Sequence, residues 1–257
     1  MLYLRVKIQY ASDLHLEFKD NKQWLEDHPL LPVGDILLLA GDIYHLGPHY
    51  FKHPFFAKLS KQFKQVYIIP GNHEYYEGYD LAETITPTKR AIHHNVFLVN
   101  NIALDLGEVE LICSTLWSRI EQYPIEVRYG MMDFKHILYH RRIISVQDYN
   151  ECFEECWGFL RPLLEKPAEK PRIVMTHHLP SAACNAEEFV GSKLNEGFCT
   201  DLTRHIEASQ VDYWIYGHSH RNLPDFTIGN TQMLTNQLGY VRWRESKTFN
   251  TGLIIEV

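Results

Sequence analysis

The sequence of 257 residues has no long apolar run and only five cysteines. No stretch approaches the roughly 18–20 consecutive apolar residues of a membrane-spanning helix, so we expect no membrane partner. The cysteines are odd in number and form no C-x-x-C pair, which favours free thiols over a disulfide framework or a cysteine zinc site. Residues 1–10 alternate like a strand and lack the apolar centre of a signal peptide, so we expect a cytoplasmic protein.

The sequence also lacks an excess of basic residues, linkers rich in Gly, Ser or Pro, and internal repeats. Its 25 Lys and Arg against 32 Asp and Glu give a net charge of −7, which makes nucleic acid an unlikely partner because nucleic-acid binding needs a basic face. An anionic substrate remains compatible, since bound dications would dominate the local field. The apolar and charged fractions, 45% and 22%, are those of an ordinary globular protein, and we predict a single domain over 1–257.

Short apolar runs predict an α/β fold with a partly parallel sheet. Runs at 6–11, 36–40, 66–70, 173–176 and 213–216 are typical of strands buried on both faces. Helical spacing predicts a helix from about Pro54 and another over 80–93, interrupted at Pro87. Ser145 with Asp148 forms a capping-box pattern ahead of a long amphipathic helix. Further strands are predicted at 96–99, 102–105, 109–115, 225–228, 231–235 and 251–257, a short helix at 201–208, and a long, partly helical loop of unknown role at 117–142.

Five polar clusters each follow an apolar run. They are Asp13-Leu14-His15, Gly41-Asp42, Gly71-Asn72-His73-Glu74, His177-His178 and Gly217-His218-Ser219-His220. In open α/β sheets, ligands gather at the carboxyl ends of strands, where loops can be polar without disturbing the core. Carboxylate, amide oxygen and imidazole suit first-row divalent metals. The clusters therefore predict a metal centre built from strand ends.

The number of donors indicates two ions. The candidate metal ligands are Asp13, His15, Asp42, Asn72, His177, His218 and His220. Seven side chains exceed the need of one tetrahedral ion, and Asp42, after the tightly turning Gly41, is a natural bridge. Two dications with only two Asp carboxylates would leave a strongly positive site that attracts phosphate. Because two metals about 3.5–4 Å apart can activate water and stabilise an in-line displacement, the predicted reaction is phosphoester hydrolysis.

Each candidate has a plainer alternative. Asp13 and Asp42 could cap turns or helices, Asn72 could only shape a turn, and His73 could be a hydrogen-bonding neighbour instead of a catalytic residue. Along a strand His177 and His178 would point to opposite faces, so only one of them should ligate. Weaker candidates for lining a pocket or contacting phosphate, with packing or solvated roles as the alternative, are His45, Tyr75, His136, Tyr240, Arg128, Arg141 and Arg142.

The order D-x-H, GD, GNHE, H, GHSH resembles the calcineurin-like metallophosphoesterase superfamily and spans about four-fifths of the chain. The resemblance implies a four-layer α-β-β-α sandwich of two mixed sheets with a dinuclear site at the carboxyl ends of strands. It implies that Asp13, His15, Asp42 and His220 hold the first metal, and that Asp42, Asn72, His177 and His218 hold the second. It also implies His73 as the residue that assists the leaving group, and two divalent ions, Mn first, with Fe, Zn or Ni as alternatives.

The sequence departs from the protein phosphatases of this superfamily. Their second block reads GD-x-V-D-R-G, whereas this chain has Ile43 to Gly47 after Asp42 and lacks the second Asp, which would orient the catalytic His. We therefore expect attack of a metal-bound hydroxide on a small phosphomonoester or phosphodiester. A non-catalytic interaction module on the same fold and a nuclease of the same superfamily are the alternatives. The sequence does not indicate an oligomeric state.

Overall fold

The computed structural model describes residues 5–257, which form two large β-sheets and their surrounding helices. The strands are β1 (Lys7–Ala11), β2 (Ile36–Ala40), β3 (Gln65–Ile69), β4 (Thr88–His93), β5 (Val96–Asn100), β6 (Ile102–Asp105), β7 (Glu110–Cys113), β8 (Leu138–Tyr139), β9 (Arg142–Ile143), β10 (Arg172–Met175), β11 (Tyr213–Tyr216), β12 (Phe226–Ile228), β13 (Thr231–Thr235) and β14 (Ile254–Glu256). The α-helices are α1 (Lys19–Asp27), α2 (Pro54–Gln62), α3 (Pro124–Gly130), α4 (Asp133–His136), α5 (Val146–Glu165) and α6 (Thr203–Ala208). Short 3-10 helices cover Tyr50–Lys52, His73–Tyr75, Leu81–Glu83, Ala182–Cys184, Glu187–Phe189, Lys193–Gly197, Val241–Trp243 and Glu245–Thr248.

Both large sheets have four parallel inner strands and antiparallel edges. The first has the order β14-β1-β2-β3-β5-β4, with β14 and β4 antiparallel to their neighbours. The second has the order β12-β13-β11-β10-β7-β6, with β12 and β6 antiparallel. Strands β8 and β9 form a separate small hairpin. Because the inner strands are parallel, their carboxyl ends meet along one edge of each sheet.

The sheets face each other across a core made by alternate residues. Ile36 and Leu38 of β2 lie in the same apolar cluster as Met175 of β10, between the two sheets. Leu37 and Leu39 point the other way, into the core beneath the helices. Every residue of β2 is buried, as predicted for strands covered on both faces.

The helices cover the outer faces of the sheets. Leu59 of α2 and Leu160 of α5 belong to the outer core, where Trp214 of β11 also lies. At the start of α5 the Ser145 hydroxyl accepts from the Asp148 amide, and the Asp148 carboxylate accepts from the Ser145 amide, which is the predicted capping box. The predicted α/β fold with a four-layer α-β-β-α arrangement is confirmed.

The helix predicted over 80–93 is wrong. Only Leu81–Glu83 turns as a 3-10 helix, and Thr88–His93 forms the edge strand β4. Pro87 stops a helix there, and the chain returns after a turn at His94-Asn95 to pair with Val96–Asn100. That pairing satisfies the backbone of a segment whose Lys89 and Arg90 are exposed, so tertiary context outweighs local spacing. Within residues 5–257, no helix has both the length and the apolarity needed to cross a bilayer.

Candidate metal centre

The five predicted clusters converge where the two sheets' strand ends meet. Strands β1, β2 and β3 of the first sheet run directly into the clusters of Asp13, Asp42 and Asn72, and β10 and β11 of the second run into those of His177 and His218. The structure therefore brings all seven predicted ligands to one place, from two different sheets.

The first group of donors comes from Asp13, His15, Asp42 and His220, whose nearest ligand atoms lie within 4.8 Å of one another. The Nε2 atoms of His15 and His220 are 2.9 Å apart. Asp42 Oδ2 lies 3.7 Å from His15 Nε2, and Asp13 Oδ1 lies 3.4 Å from His220 Nε2. All four side chains are almost completely enclosed by protein.

The second group lies beside the first and shares Asp42. His177 Nε2 is 3.1 Å from Asn72 Oδ1, 3.2 Å from His218 Nδ1 and 3.5 Å from Asp42 Oδ1. Asp42 thus directs Oδ2 to the first group and Oδ1 to the second, which is the geometry of a bridging carboxylate.

The ring tautomers show that these groups fit cations. His15 Nδ1 donates to Glu17 at 2.9 Å, and His220 Nδ1 donates to Glu245 at 2.9 Å. With each Nδ1 donating to a carboxylate, the two Nε2 atoms face each other 2.9 Å apart. Likewise His177 Nδ1 donates to the Ala40 carbonyl at 2.8 Å, so its Nε2 lone pair faces the oxygens of the second group. Converging lone pairs repel unless a proton or a cation lies among them, and two divalent ions would satisfy both groups.

Burial keeps two of the rings in the form that binds metal. It lowers the pKa of His15 and of His177 to about 4, so both imidazoles are neutral near pH 7. Burial, together with the neighbouring carboxylates of Glu74 and Asp13, raises the pKa of Asp42 well above its usual range. A buried carboxylate among other carboxylates needs a positive counter-charge, which a shared cation provides.

The backbone at the site is held in an unusual conformation. Asp13, His15, Asp42, His218 and His220 all have positive φ, between 47° and 75°. Such left-handed backbone costs about 1–3 kcal/mol per residue outside glycine and persists where surrounding structure enforces it. Five strained residues in one cluster indicate that ligand placement, rather than stability, determines these turns.

A buried carboxylate and a glycine help to enforce these turns. Glu74 accepts hydrogen bonds from the amides of Gly71, Asp42 and Ile43 at 2.7 to 2.9 Å, and so joins the loops after β2 and β3. Gly41 has a φ of +88°, and a Cβ there would lie 2.5 Å from His177 Nδ1. Gly41 is therefore required both by its conformation and by the close approach of His177.

The predicted catalytic residue, His73, lies between a carboxylate and a phenol. Its Nδ1 is 3.1 Å from Glu17 Oε1, and its Nε2 is 3.1 Å from the Tyr240 hydroxyl. The same Glu17 oxygen accepts from His15, so one carboxylate orients both a candidate ligand and the candidate catalytic ring. An acid on Nδ1 of His73, absent from the second block of this chain, is thus present two residues after His15, just beyond the first cluster. Sequence reasoning missed Glu17, although its D-x-H-x-E spacing was a usable signal.

The amide of Asn72 is also fixed by a residue that the sequence did not reveal. Asn72 Nδ2 donates to Asp133 Oδ1 at 2.9 Å, which leaves Asn72 Oδ1 facing His177. The Tyr76 hydroxyl donates to the same Asp133 oxygen at 2.5 Å, and its ring stacks on His73 with centroids 4.2 Å apart. Asp133 begins α4, within the segment 117–142 whose role the sequence left open.

The charge of the site differs from the sequence-based expectation. Besides Asp13 and Asp42, the carboxylates of Glu17 and Glu245 contact ligand histidines directly. Burial alone would lower the pKa of His220, but its hydrogen bonds with Asp13 and Glu245 outweigh burial and raise that pKa to about 9. With Asp133 on Asn72, five carboxylates would lie at or directly behind two divalent ions, so the strongly positive site expected from two Asp alone is not what the structure builds.

Other sequence candidates fall into two sets. His177 lies in the second donor group, whereas His178 points away from it, with its Nε2 3.0 Å from the Tyr149 hydroxyl. Of the two neighbouring histidines, His177 is therefore the candidate ligand. His45, His136 and Tyr240 line the adjoining cavity. The other four do not line it, and among them the Arg141 amide donates to Asp80 at 2.7 Å. Tyr75 is fully buried with its hydroxyl on Thr84, Arg142 pairs with Asp148, and Arg128 lies over Tyr129.

An open cavity of about 800 Å³ adjoins the donor groups. Asp42, Asn72, His73, His218 and His220 form its floor. Its sides carry a larger apolar set, consisting of Phe18, Met131, Met132, Phe189, Leu194, Phe198 and Trp243. The volume is within the range of small-molecule sites, which is about 300–1,000 Å³.

Comparison with known proteins agrees with this architecture. A viral relative, the uncharacterized protein L509 of Acanthamoeba polyphaga mimivirus, is 31% identical over 278 residues, covering 97% of this chain and 96% of that protein. The crystal structure of phosphopantetheinyl hydrolase from Mycobacterium tuberculosis has a similar fold, with a TM-score of 0.69 at 18% identity over 98% of this chain and 95% of the other. A sequence profile for calcineurin-like phosphoesterases matches residues 6–222. The match covers all five clusters, and the chain belongs to the calcineurin-like phosphoesterase family.

Proposed function

We propose that the protein is a divalent-metal-dependent phosphoric ester hydrolase acting on a phosphomonoester or phosphodiester. The observation that carries the proposal is the convergence of ring nitrogens and side-chain oxygens on two adjacent points. His15 and His220 face one point, His177 and Asn72 face the other, and Asp42 is shared by both. Membership of the phosphoesterase family supports the reaction class.

The seven side chains divide between two ions as the family resemblance implies. Asp13, His15, Asp42 and His220 would hold the first ion, and Asp42, Asn72, His177 and His218 would hold the second. When bound, two such ions supply Lewis acidity to the phosphoryl oxygens and to an attacking water. The mixed imidazole and oxygen donors suit Mn, which we propose first, with Fe, Zn or Ni as alternatives.

His73 handles the proton of the leaving group. Glu17 accepts the Nδ1–H of His73 and fixes the ring, so Nε2 is the nitrogen that exchanges a proton at the cavity. With Nδ1 held by Glu17, Nε2 is the ring atom that can give a proton to the departing oxygen. The Tyr240 hydroxyl, 3.1 Å from Nε2, is the hydrogen-bond partner of this nitrogen before a substrate binds. We also propose a reducing, cytoplasmic location, consistent with five free cysteines, four of them buried.

The test combines metal analysis with hydrolysis of p-nitrophenyl phosphate and bis(p-nitrophenyl) phosphate in Mn buffer. We expect about two ions per chain and turnover of at least one ester. His73→Ala should keep its metal and lose about 10²–10⁴-fold in rate, as expected for loss of a general acid. Asp42→Asn should lose both metal and activity. His94→Ala, at an exposed histidine away from the cavity, is the matched control and should behave as the unmodified protein.

Three outcomes would contradict parts of this proposal. Normal turnover by His73→Ala would refute the role of His73 alone. A purified protein that binds no Mn and hydrolyses neither ester would refute the enzyme and favour a non-catalytic module. Faster cleavage of single-stranded DNA than of either small ester, abolished by Asp42→Asn, would favour the nuclease alternative.

A further inference from the structure

The electrostatic balance of the site bears on the charge of its substrate. Asp13 and Asp42 face the two ion positions, and Glu17 and Glu245 lie directly behind them on ligand histidines. Asp133 lies in the same way behind Asn72, so five carboxylates would oppose the four positive charges of two divalent ions. A phosphomonoester brings a charge of about −1.5 to −2 at pH 7, whereas a phosphodiester brings a single negative charge. A site without excess positive charge therefore accepts the singly charged phosphodiester more readily than the phosphomonoester, which brings additional negative charge.

The basic residue beside the donor groups does not change this balance. Among the described residues that line it, Lys19, Arg221 and Arg242 are basic, and Asp20, Glu77, Asp133, Asp42 and Glu245 are acidic. The basic residue at the donor groups is Arg221, and its guanidinium contacts Glu188 at 2.5 Å and Glu245 at 3.1 Å. Its charge is already paired, so it adds little attraction for a second phosphate charge.

Apolar side chains flank the donor groups on two sides. Beside the first group lies the Trp243 wall, formed by Phe18, Tyr240 and Trp243, with Tyr240 4.7 Å from the His15 ring and 4.9 Å from Trp243. Beside the second group lies the Phe198 wall, formed by Phe198, Met131 and Leu194, with Phe198 4.5 Å from the His218 ring.

Part of this apolar surface meets solvent. Phe18 is 42% exposed and Trp243 is 66% exposed. Large apolar side chains exposed at the mouth of a cavity are typical of a surface that a ligand covers.

From these two observations we infer that the protein hydrolyses phosphodiesters carrying an apolar or aromatic group on each side of phosphorus, in preference to phosphomonoesters. The inference rests on the proposed hydrolytic function. A diester has two organic groups and can contact both walls, whereas a monoester has one and leaves a wall uncovered. In the reaction, the oxygen of water forms a new bond to phosphorus and one ester P–O bond breaks. The released alcohol leaves with a proton, and the other group stays on a phosphomonoester product.

Three esters with the same p-nitrophenolate leaving group separate charge from apolar contact. They are bis(p-nitrophenyl) phosphate, methyl p-nitrophenyl phosphate and p-nitrophenyl phosphate. We expect kcat/KM to fall in that order, with the aryl diester about tenfold above the methyl diester, which is the discrimination that a hydrophobic pocket gives. Trp243→Ala should lower kcat/KM for the aryl diester several-fold more than for the methyl diester. Tyr129→Ala removes an equally exposed aromatic that does not line the cavity, and should leave all three values unchanged.

Each result has a distinct meaning. If the metal-loaded protein hydrolyses none of the three esters, the proposed function fails together with the inference. If the monoester has the highest kcat/KM, the hydrolase stands and the inference is overturned. Equal values for the two diesters, with Trp243→Ala changing neither, would overturn the role of the apolar walls. A higher value for the aryl diester that Trp243→Ala removes would support the inference.

Discussion

Removal of the Glu17 carboxylate tests the most connected interaction of the site. Glu17 Oε1 accepts from His15 Nδ1 at 2.9 Å and from His73 Nδ1 at 3.1 Å, and its side chain is only 6% exposed. Burial alone would raise the pKa of Glu17, but the contacts with His15 and His73 outweigh it and hold that pKa well below its usual range. The group is therefore a carboxylate throughout the pH range of an assay, and its loss affects a metal ligand and the catalytic ring together.

The size of the effect follows from the two hydrogen bonds. Each joins a charged acceptor to an imidazole N–H and contributes about 1.5–3 kcal/mol. Loss of an outer partner of a ligand histidine typically costs about 10–100-fold in metal affinity or activity. For Glu17→Ala, loss of the hydrogen bond to His15 should weaken Mn binding about 10–100-fold. Loss of the hydrogen bond to His73 should lower kcat about 10²-fold, and saturating Mn should not restore it. Glu17→Gln keeps an acceptor without the charge and should lose less on both measures.

Activity measured as a function of Mn concentration separates the two parts. The Mn concentration at half-maximal rate reports the first metal site, and the rate at saturation reports His73. Glu77→Gln is the matched control, because Glu77 lines the same cavity but is 71% exposed and contacts only His45, at 3.4 Å. It should stay near the unmodified protein on both measures. Glu17→Ala with an unchanged saturating rate would refute the coupling of Glu17 to His73, and an unchanged Mn dependence would refute its coupling to the first metal site.

The remaining predictions concern a second positioning acid and a structural ion pair. Asp133→Leu should leave Asn72 Nδ2 with the Tyr76 hydroxyl as its acceptor and weaken binding of the second ion about 10–100-fold. Asp133→Asn keeps an oxygen acceptor and should lose much less, and equal Mn titrations for the two variants would contradict this role. Arg142, aided by Ser145, lowers the pKa of Asp148 to about 2, below the unfolded value of about 3.9. The ion pair therefore contributes its full stability above about pH 4, and this stability is lost as the pH falls toward 2. The thermal midpoint of Asp148→Asn should therefore change less over that interval than the midpoint of the unmodified protein. Parallel plots of thermal midpoint against pH for the two proteins would contradict the assignment.

Much of the fold could be predicted because strands that are buried on both faces appear in the sequence as short, continuous apolar runs. Runs such as Ile36–Ala40 are apolar at every position, and only a strand covered on both faces buries all of them. The parallel order of such strands brings their carboxyl ends together, so polar residues after each run had to meet. The same logic could not place Thr88–His93, an exposed edge strand whose side chains show no burial pattern and whose structure depends on pairing with β5.

The predicted ligands stood out because each belongs to a short cluster with its own local signal. Apart from Glu17, the residues that orient them have no such signal, since each is defined only by a contact across the fold. Asp133 is 61 residues from Asn72, and Glu245 is 25 residues from His220 in a segment of 3-10 turns. Glu17 alone lies beside a cluster, and its link to His73 spans 56 residues. An outer carboxylate can arrive from any loop that the fold brings near, so sequence spacing cannot fix its position.

This distinction determines which properties of the site could be inferred from the sequence. Ligand identity indicates a divalent-metal site and the reaction class, and the local clusters predicted both. The charge of a preferred substrate depends on the sum over ligands and their outer partners. Glu17, Glu245 and Asp133 remove the excess positive charge that two Asp ligands alone would leave. Two chains with the same five clusters could therefore select differently charged phosphoesters. The outer carboxylates, together with the Trp243 and Phe198 walls, are where such selection would be determined in this protein.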